Sequence, residues 1–218
     1  SNFNEKPVTK DGKINKIING ATDWVYEEEF SIHKGFEWSP DGKKLAYYVF
    51  DETDVKEFQM KMYGTLYPTH YKFKYPKAGE DNSLISIRIF DTQYDRHFVF
   101  DVGNNPDIYI PRIMWSKRRD ELIVFKMNRL QNKLELLSGT FSMDTPNNIG
   151  IKTKPIYTEN STTYIDIHDN TSFINENEFI WTSEKDGYNH IYLINYANGT
   201  EKQLTLSLIH ISEPTRRE

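Results

Sequence analysis

Phe36-Glu37-Trp38-Ser39-Pro40-Asp41-Gly42-Lys43-Lys44-Leu45-Ala46-Tyr47 reads as two strands joined by a tight turn. Proline presets φ at the first central turn position and glycine accepts the left-handed one. Ser39-Pro40-Asp41-Gly42 therefore closes a strand ending at Trp38 and opens another over residues 44–50. The pattern returns at Arg112-Ile113-Met114-Trp115-Ser116, followed by a turn over 117–120 and a strand over 122–127, with tryptophan again closing the first strand. A third instance is Thr171-Ser172-Phe173, Phe179-Ile180-Trp181, a turn at Asp186-Gly187 and a strand over 191–194. Residues 85–89 alternate as a half-buried strand does, and 98–102 form one more. Four-stranded units recurring tens of residues apart predict an all-β chain built as a partial β-propeller of about three to four blades. Trp38, Trp115 and Trp181 are expected to pack between neighbouring blades.

Outward from these hairpins the reading is less regular. Residues 13–18 form a candidate strand, and residues 25–30 a short helix or turn. Residues 51–74, rich in Tyr and Phe, are long for a hairpin loop. They read either as an excursion near a substrate or as an ordinary packed insertion, and in neither case as a second domain.

Composition removes several function classes. With no cysteine among 218 residues there is no disulfide framework, thiolate metal site or thiol nucleophile. A net charge of −5, with Lys117-Arg118-Arg119 the longest basic run, argues against nucleic acid as a partner. No run of about 18 apolar residues could span a membrane, and Ser1-Asn2-Phe3-Asn4-Glu5-Lys6 has no apolar signal core. His33, His70, His97 and His168 lack ligand spacing, so neither a metal nor a cofactor is expected. Tyr188-Asn189-His190 reads as a hydrogen-bonded corner at the start of a strand. No Gly-x-Ser-x-Gly elbow occurs, so no catalytic residue is assigned.

The stretch that carries chemistry is Asp23-Trp24-Val25-Tyr26-Glu27-Glu28-Glu29-Phe30, three carboxylates bracketed by bulky apolar side chains. Adjacent like charges repel, and drawn out of water they need a cation or hydrogen-bond donors to compensate them. A substrate ammonium, with three N–H donors and one charge, is such a cation. Taken alone, the run is a solvated acidic turn. Its company points elsewhere. Asn19-Gly20-Ala21-Thr22 precedes it, the hairpin quoted above follows it, and Tyr75-Pro76-Lys77-Ala78-Gly79 and Trp181-Thr182-Ser183-Glu184-Lys185-Asp186-Gly187-Tyr188-Asn189-His190-Ile191-Tyr192 come later. In this order the landmarks closely resemble the N-terminal β-propeller domain of the dipeptidyl peptidase IV family of serine exopeptidases, from about residue 12 to 205.

The resemblance implies roles. In that family the acidic stretch carries a glutamate pair that grips the free N-terminus of the peptide substrate, matching Glu28 and Glu29 here. Hydrolysis is performed by a Ser-Asp-His triad in a separate α/β-hydrolase domain after the propeller. This chain is thus expected to be the substrate-recognition part, inactive alone, of a serine-type dipeptidyl or tripeptidyl peptidase acting on peptides with proline or alanine near the N-terminus. The implied partners are a peptide with a free N-terminus, the hydrolase domain of the parent chain, and a second copy in a parent homodimer. Absence of cysteine suits a bacterial member, in which the sequons at Asn160, Asn170 and Asn198 are chance matches. A periplasmic, extracellular or membrane-anchored location follows from the resemblance. Residues 206–218 do not resemble the family and read like an in-frame translation of a sequencing-library transposase adapter, which leaves 1–205 as the partial propeller. The competing reading is a non-enzymatic propeller scaffold or an inactive family member.

Overall fold

A computed structural model of the chain describes residues 5–145 and 148–206. In chain order, β1 (Ile17–Asn19), α1 (Trp24–Phe30), β2 (Phe36–Trp38) and β3 (Lys44–Asp51) come first. A two-stranded ribbon of β4 (Glu57–Met62) and β5 (Thr69–Lys74) precedes β6 (Leu84–Asp91) and β7 (Arg96–Phe100). The first sheet runs β1-β3-β6-β7, with β2 also paired to β3. A second sheet stacks β8 (Ile108–Trp115), β9 (Glu121–Asn128), β10 (Lys133–Thr145) and β11 (Asn148–Asn160) in sequence order. The third does the same with β12 (Ser172–Phe173), β13 (Glu178–Ser183), β14 (His190–Asn195) and β15 (Thr200–Gln203). Three antiparallel blade sheets in succession, with one short helix, are the partial β-propeller that the repeats predict. Residues 206–218, expected to be a tail apart from the propeller, lie, but for Leu206, outside the described residues.

Alternation explains the strands. Phe179 and Trp181 of β13 and Tyr192 and Ile194 of β14 turn to the same buried side, as a period of two requires. One apolar cluster runs through all three sheets, including Tyr48 and Phe50 of β3, Phe125 of β9 and Phe179 of β13. Polar side chains knit the blades as well. Lys44 binds Asp120 at 2.5 Å between the first and second sheets. Buried Glu121 accepts the Tyr196 hydroxyl at 2.9 Å between the second and third. A buried carboxylate so supplied with donors rigidifies the joint instead of destabilising it.

Several expectations are corrected. Trp181 is buried, and Trp115 donates to the Glu37 carbonyl across the blade joint at 3.1 Å. Trp38 is instead 48% exposed, because β2 pairs on one side only and nothing described covers its far face. The strand expected at 13–18 starts only at Ile17. Before it, Asn15 sits at φ 57° in a turn closed by the Lys16 N–H on the Lys13 carbonyl. Residues 51–74 contain the ribbon β4–β5, and β10–β11, a hairpin of two 13-residue strands, was not foreseen.

The first sheet has one irregularity that matters for function. β1 and β2 both lie along β3, pairing with residues 49–51 and 45–47, so together they fill one strand position. Residues 20–35, α1 included, leave that position and return to it. The excursion has a tight neck: the Gly20 N–H bonds the Tyr48 carbonyl, and the Tyr48 N–H bonds the Gly35 carbonyl, both at 2.9 Å. A Cβ at Gly35 would sit 2.7 Å from the Ala21 carbonyl oxygen and 2.8 Å from the Ala21 nitrogen, backbone atoms that cannot rotate away. Gly35→Ala is expected to destabilise the fold by about 1–3 kcal/mol, as overpacking does. Urea denaturation of the two forms reads this directly.

Candidate functional site

Helix α1 is short because its sequence favours it weakly. Seven residues form barely two turns, too few for a stable isolated helix, so tertiary contacts must hold it. At its start Asp23 is the N-cap: Oδ1 accepts the Tyr26 N–H at 3.0 Å, and Oδ2 accepts the Ser83 hydroxyl at 2.6 Å. At its end Ser31 takes the left-handed conformation, φ 55°, and its N–H returns to the Tyr26 carbonyl. Val25, Tyr26 and Phe30 form the inward face. Tyr26 packs among the rings of Phe30, Phe50 and Tyr109, with centroids 5.2, 4.8 and 6.2 Å away.

The Tyr26 hydroxyl reaches the second sheet, where it accepts the Ile110 N–H at 2.9 Å. That N–H is free for it because β8 carries a bulge. Tyr109 pairs with Met127 and Arg112 with Phe125, so Ile110 and Pro111 together face Lys126 alone. The same bulge aims Arg112 at the helix, and its Nη1 donates to the Phe30 carbonyl at 2.8 Å. Burial pushes the Tyr26 hydroxyl well above its ordinary value, which keeps it protonated.

With the apolar face turned inward, Glu27, Glu28 and Glu29 are all exposed. Among the described residues none of the three side chains makes a hydrogen bond or an ion pair; the Glu27 backbone N–H bonds the Asp23 carbonyl at 3.1 Å within the helix. Glu29 lines a cleft of about 320 Å³ with Trp24, Tyr75, Tyr109, Arg129 and Gln131. Glu27 and Glu28 do not line it. Tyr75, Pro76, Lys77 and Ala78 supply another wall, and the Tyr75 ring packs edge-on against Trp24 at 4.4 Å. Two cations line this cleft: Lys77, whose Nζ lies 5.9 Å from the centroid of the Phe58 ring, and Arg129, already engaged by Asp107 at 3.2 Å and by the Glu80 carbonyl at 3.0 Å. The arrangement is thus an acidic ledge with unused acceptors beside an aromatic wall.

Sequence reasoning chose the glutamates and missed what holds them: Ser83, the Ile110 N–H and Arg112. The available signal was Pro111, which cannot donate to a ladder and so marks a bulge in a strand. Elsewhere, Glu159 and His168 line a second polar cavity of about 350 Å³. Its groups are satisfied internally. Glu159 accepts Trp181 Nε1 and the Ser183 hydroxyl, both at 2.6 Å, and His168 Nε2 donates to the Thr182 carbonyl at 2.7 Å. His190 bonds the Thr205 hydroxyl at 3.1 Å as a strand corner. Among the described residues no group of acidic, His or Cys side chains could hold a metal ion.

A family model described as "Dipeptidyl peptidase IV (DPP IV) N-terminal region" matches residues 1–215. Prolyl endopeptidase FAP of Bos taurus is 33% identical over 204 residues, covering 86% of this chain and 26% of that protein. Venom dipeptidyl peptidase 4 of Vespa velutina is 36% identical over 149 residues, covering 62% of this chain and 19% of that protein. The crystal structure of Porphyromonas gingivalis dipeptidyl peptidase 4 superimposes with a TM-score of 0.82 at 37% identity, covering 92% of this chain and 28% of that one. The chain therefore spans about a fifth to a quarter of the length of these curated relatives.

The N-cap gives a testable pH effect. Burial raises the Asp23 carboxyl above its ordinary 3.8, against the opposing hydrogen bonds from Ser83 and Tyr26. A raised folded value means that the folded state binds this proton more tightly than the unfolded chain. That contribution is fully present below the unfolded value and is lost as pH rises through the folded one. Asp23→Asn keeps an acceptor for the Tyr26 N–H and removes this titration, so stability measured against pH should fall less between acid and neutral pH than in the unmodified chain. Asp23→Ala removes the cap and should cost about 1–2 kcal/mol in denaturant titration.

Proposed function

Because the chain belongs to the dipeptidyl peptidase IV family through its N-terminal region, we propose that it is the substrate-recognition propeller of a serine exopeptidase and that Glu28 and Glu29 hold the free N-terminal amine of the peptide. The observation that carries this reading is a rigidly anchored helix whose glutamates face solvent with no partner among the described residues. Structural carboxylates in the same chain, such as Glu121 and Glu159, are surrounded by donors. Those of α1 are presented and left open.

The chemistry follows from charge and geometry. A protonated α-amine offers three N–H donors, and two carboxylates on successive residues can accept from it while neutralising it. The same carboxylates favour its charged form. Gripping the amine fixes the peptide's register, so the distance from this ledge to a serine nucleophile sets how many residues are removed. Such positioning acts on the barrier by replacing a search over orientations with one bound geometry. An acylated N-terminus has lost both the charge and the donors and is rejected. The peptide bond itself is cut by the α/β-hydrolase part of the longer protein, outside these residues.

The test uses the longer protein that carries both parts. Glu28→Gln and Glu29→Gln should each lower kcat/KM for an unblocked proline-containing substrate by about 10- to 100-fold, the equivalent of one lost charge-assisted hydrogen bond. Thermal melting should be unchanged, since both side chains are exposed. Unchanged cleavage in both variants would remove the amine clamp from the account.

A further inference from the structure

We propose that the Arg112–Asp169 pair is a positioning device for the acidic helix: it fixes where the end of α1 stands, and through it how tightly the substrate amine is held. This rests on the role given above to Glu28 and Glu29.

The helix needs such a device. Glu27 falls in the first turn, but Glu28 and Glu29 stand in the second half, toward the negative end of the dipole, and no basic residue lies in the last turn. Negative charge there is unfavourable, and the last carbonyls of any helix lack intrahelical partners. A cation supplied from another element meets both needs. Arg112 is that cation, reaching from β8 to the carbonyl of Phe30, the residue that follows Glu29.

Arg112 is a long side chain, however, with considerable rotamer freedom to lose. Two contacts restrict it. Nη1 also bonds the Pro111 carbonyl at 2.7 Å, which ties the group to its own bulge. The other edge forks onto Asp169, with Nε to Oδ1 at 2.6 Å and Nη2 to Oδ2 at 3.4 Å. A two-point fork orients a planar guanidinium where a single contact would leave it free to turn. Asp169 lies in the segment between β11 and β12, so the tether comes from the connection between the second and third sheets, while the helix it steadies is inserted in the first. One side chain of the second sheet thus joins the helix inserted in the first to the connection that leads to the third.

Burial indicates what kind of work the tether does. The Asp169 side chain is 79% exposed and that of Arg112 is 22% exposed. An ion pair with one partner this exposed adds little to global stability. What it restricts is direction. The guanidinium holds the Asp169 carboxyl below its ordinary value, so the fork stays ionised at neutral pH. Losing the fork should therefore leave the fold intact and let the end of α1 shift. Displacements on the ångström scale are enough to weaken an amine clamp.

The experiment is a double-mutant cycle in the longer, hydrolase-bearing protein, with kcat and KM measured for an unblocked proline-containing peptide. Asp169→Asn is the first variant, because an exposed, nearly isosteric change does not threaten folding. Arg112→Gln is the second and Arg112→Lys the third. Lysine keeps the charge at the helix end and loses the fork. Expected are a rise in KM of about tenfold for Asp169→Asn and Arg112→Gln, a smaller rise for Arg112→Lys, and an unchanged melting temperature for Asp169→Asn. In a Glu28→Gln, Glu29→Gln background the same changes should have less than about a twofold effect, because no clamp is left to position. Equal losses in both backgrounds, or no loss in the native one, overturn the proposal while the amine reading stands. If Glu28→Gln, Glu29→Gln itself costs nothing, the amine reading fails and takes the proposal with it.

Discussion

The hydrogen bond from the Ile110 N–H to the Tyr26 hydroxyl, made available by a two-for-one bulge in β8, is the contact on which the site depends. Without the bulge that N–H would be spent in the ladder. Without Tyr26 it would be buried and unsatisfied, which costs about 1–3 kcal/mol. Around this bond the other anchors fall into place. The N-cap at Asp23 holds one end of the helix, Arg112 the other, and the ring cluster under Tyr26 fixes the face between them. A helix of seven residues has no claim to stability of its own, so its orientation is a property of the blades beneath it.

That dependence explains how three consecutive glutamates can stand unpaired. Two like charges about 4 Å apart repel by only about 1 kcal/mol in water, a load that a well-anchored helix carries easily. Exposure keeps the repulsion small, and anchoring keeps the geometry fixed. A recognition surface for a cation needs both, since a flexible acidic loop would have to be ordered at binding and a buried one would already have found donors. The insertion of α1 into an edge strand position of the first sheet, through the narrow neck at Gly35, lets the blade project this ledge without breaking its own sheet.

Much of this was legible in the sequence. Turn chemistry at Ser39-Pro40-Asp41-Gly42 and the tryptophan-closed strands carry the blade pattern, and the acidic stretch reads as a short helix or turn before β2, of which the structure shows the helix. Three features were not. The β10–β11 hairpin is interrupted by Gly139 and by Pro155, which sits at a register shift on an edge strand, so its alternation is broken. The ribbon β4–β5 is largely exposed, so no buried stripe marks its period. Trp38 looked like its two counterparts because the sequence shows a strand end and not what lies beyond it. Within the site, Glu28 and Glu29 were visible through a local motif. Ser83 and Arg112 were not, since their partners lie 60 and 82 residues away and only the fold brings them together.

The most direct measurement is a crystal structure of the longer, hydrolase-bearing protein with an unblocked, non-cleavable peptide bound. The account predicts the peptide's terminal nitrogen within hydrogen-bond distance of the Glu28 and Glu29 carboxylates, with α1 still seated on Ile110 and Arg112. A terminal nitrogen held elsewhere, with both glutamates left in solvent, would contradict it.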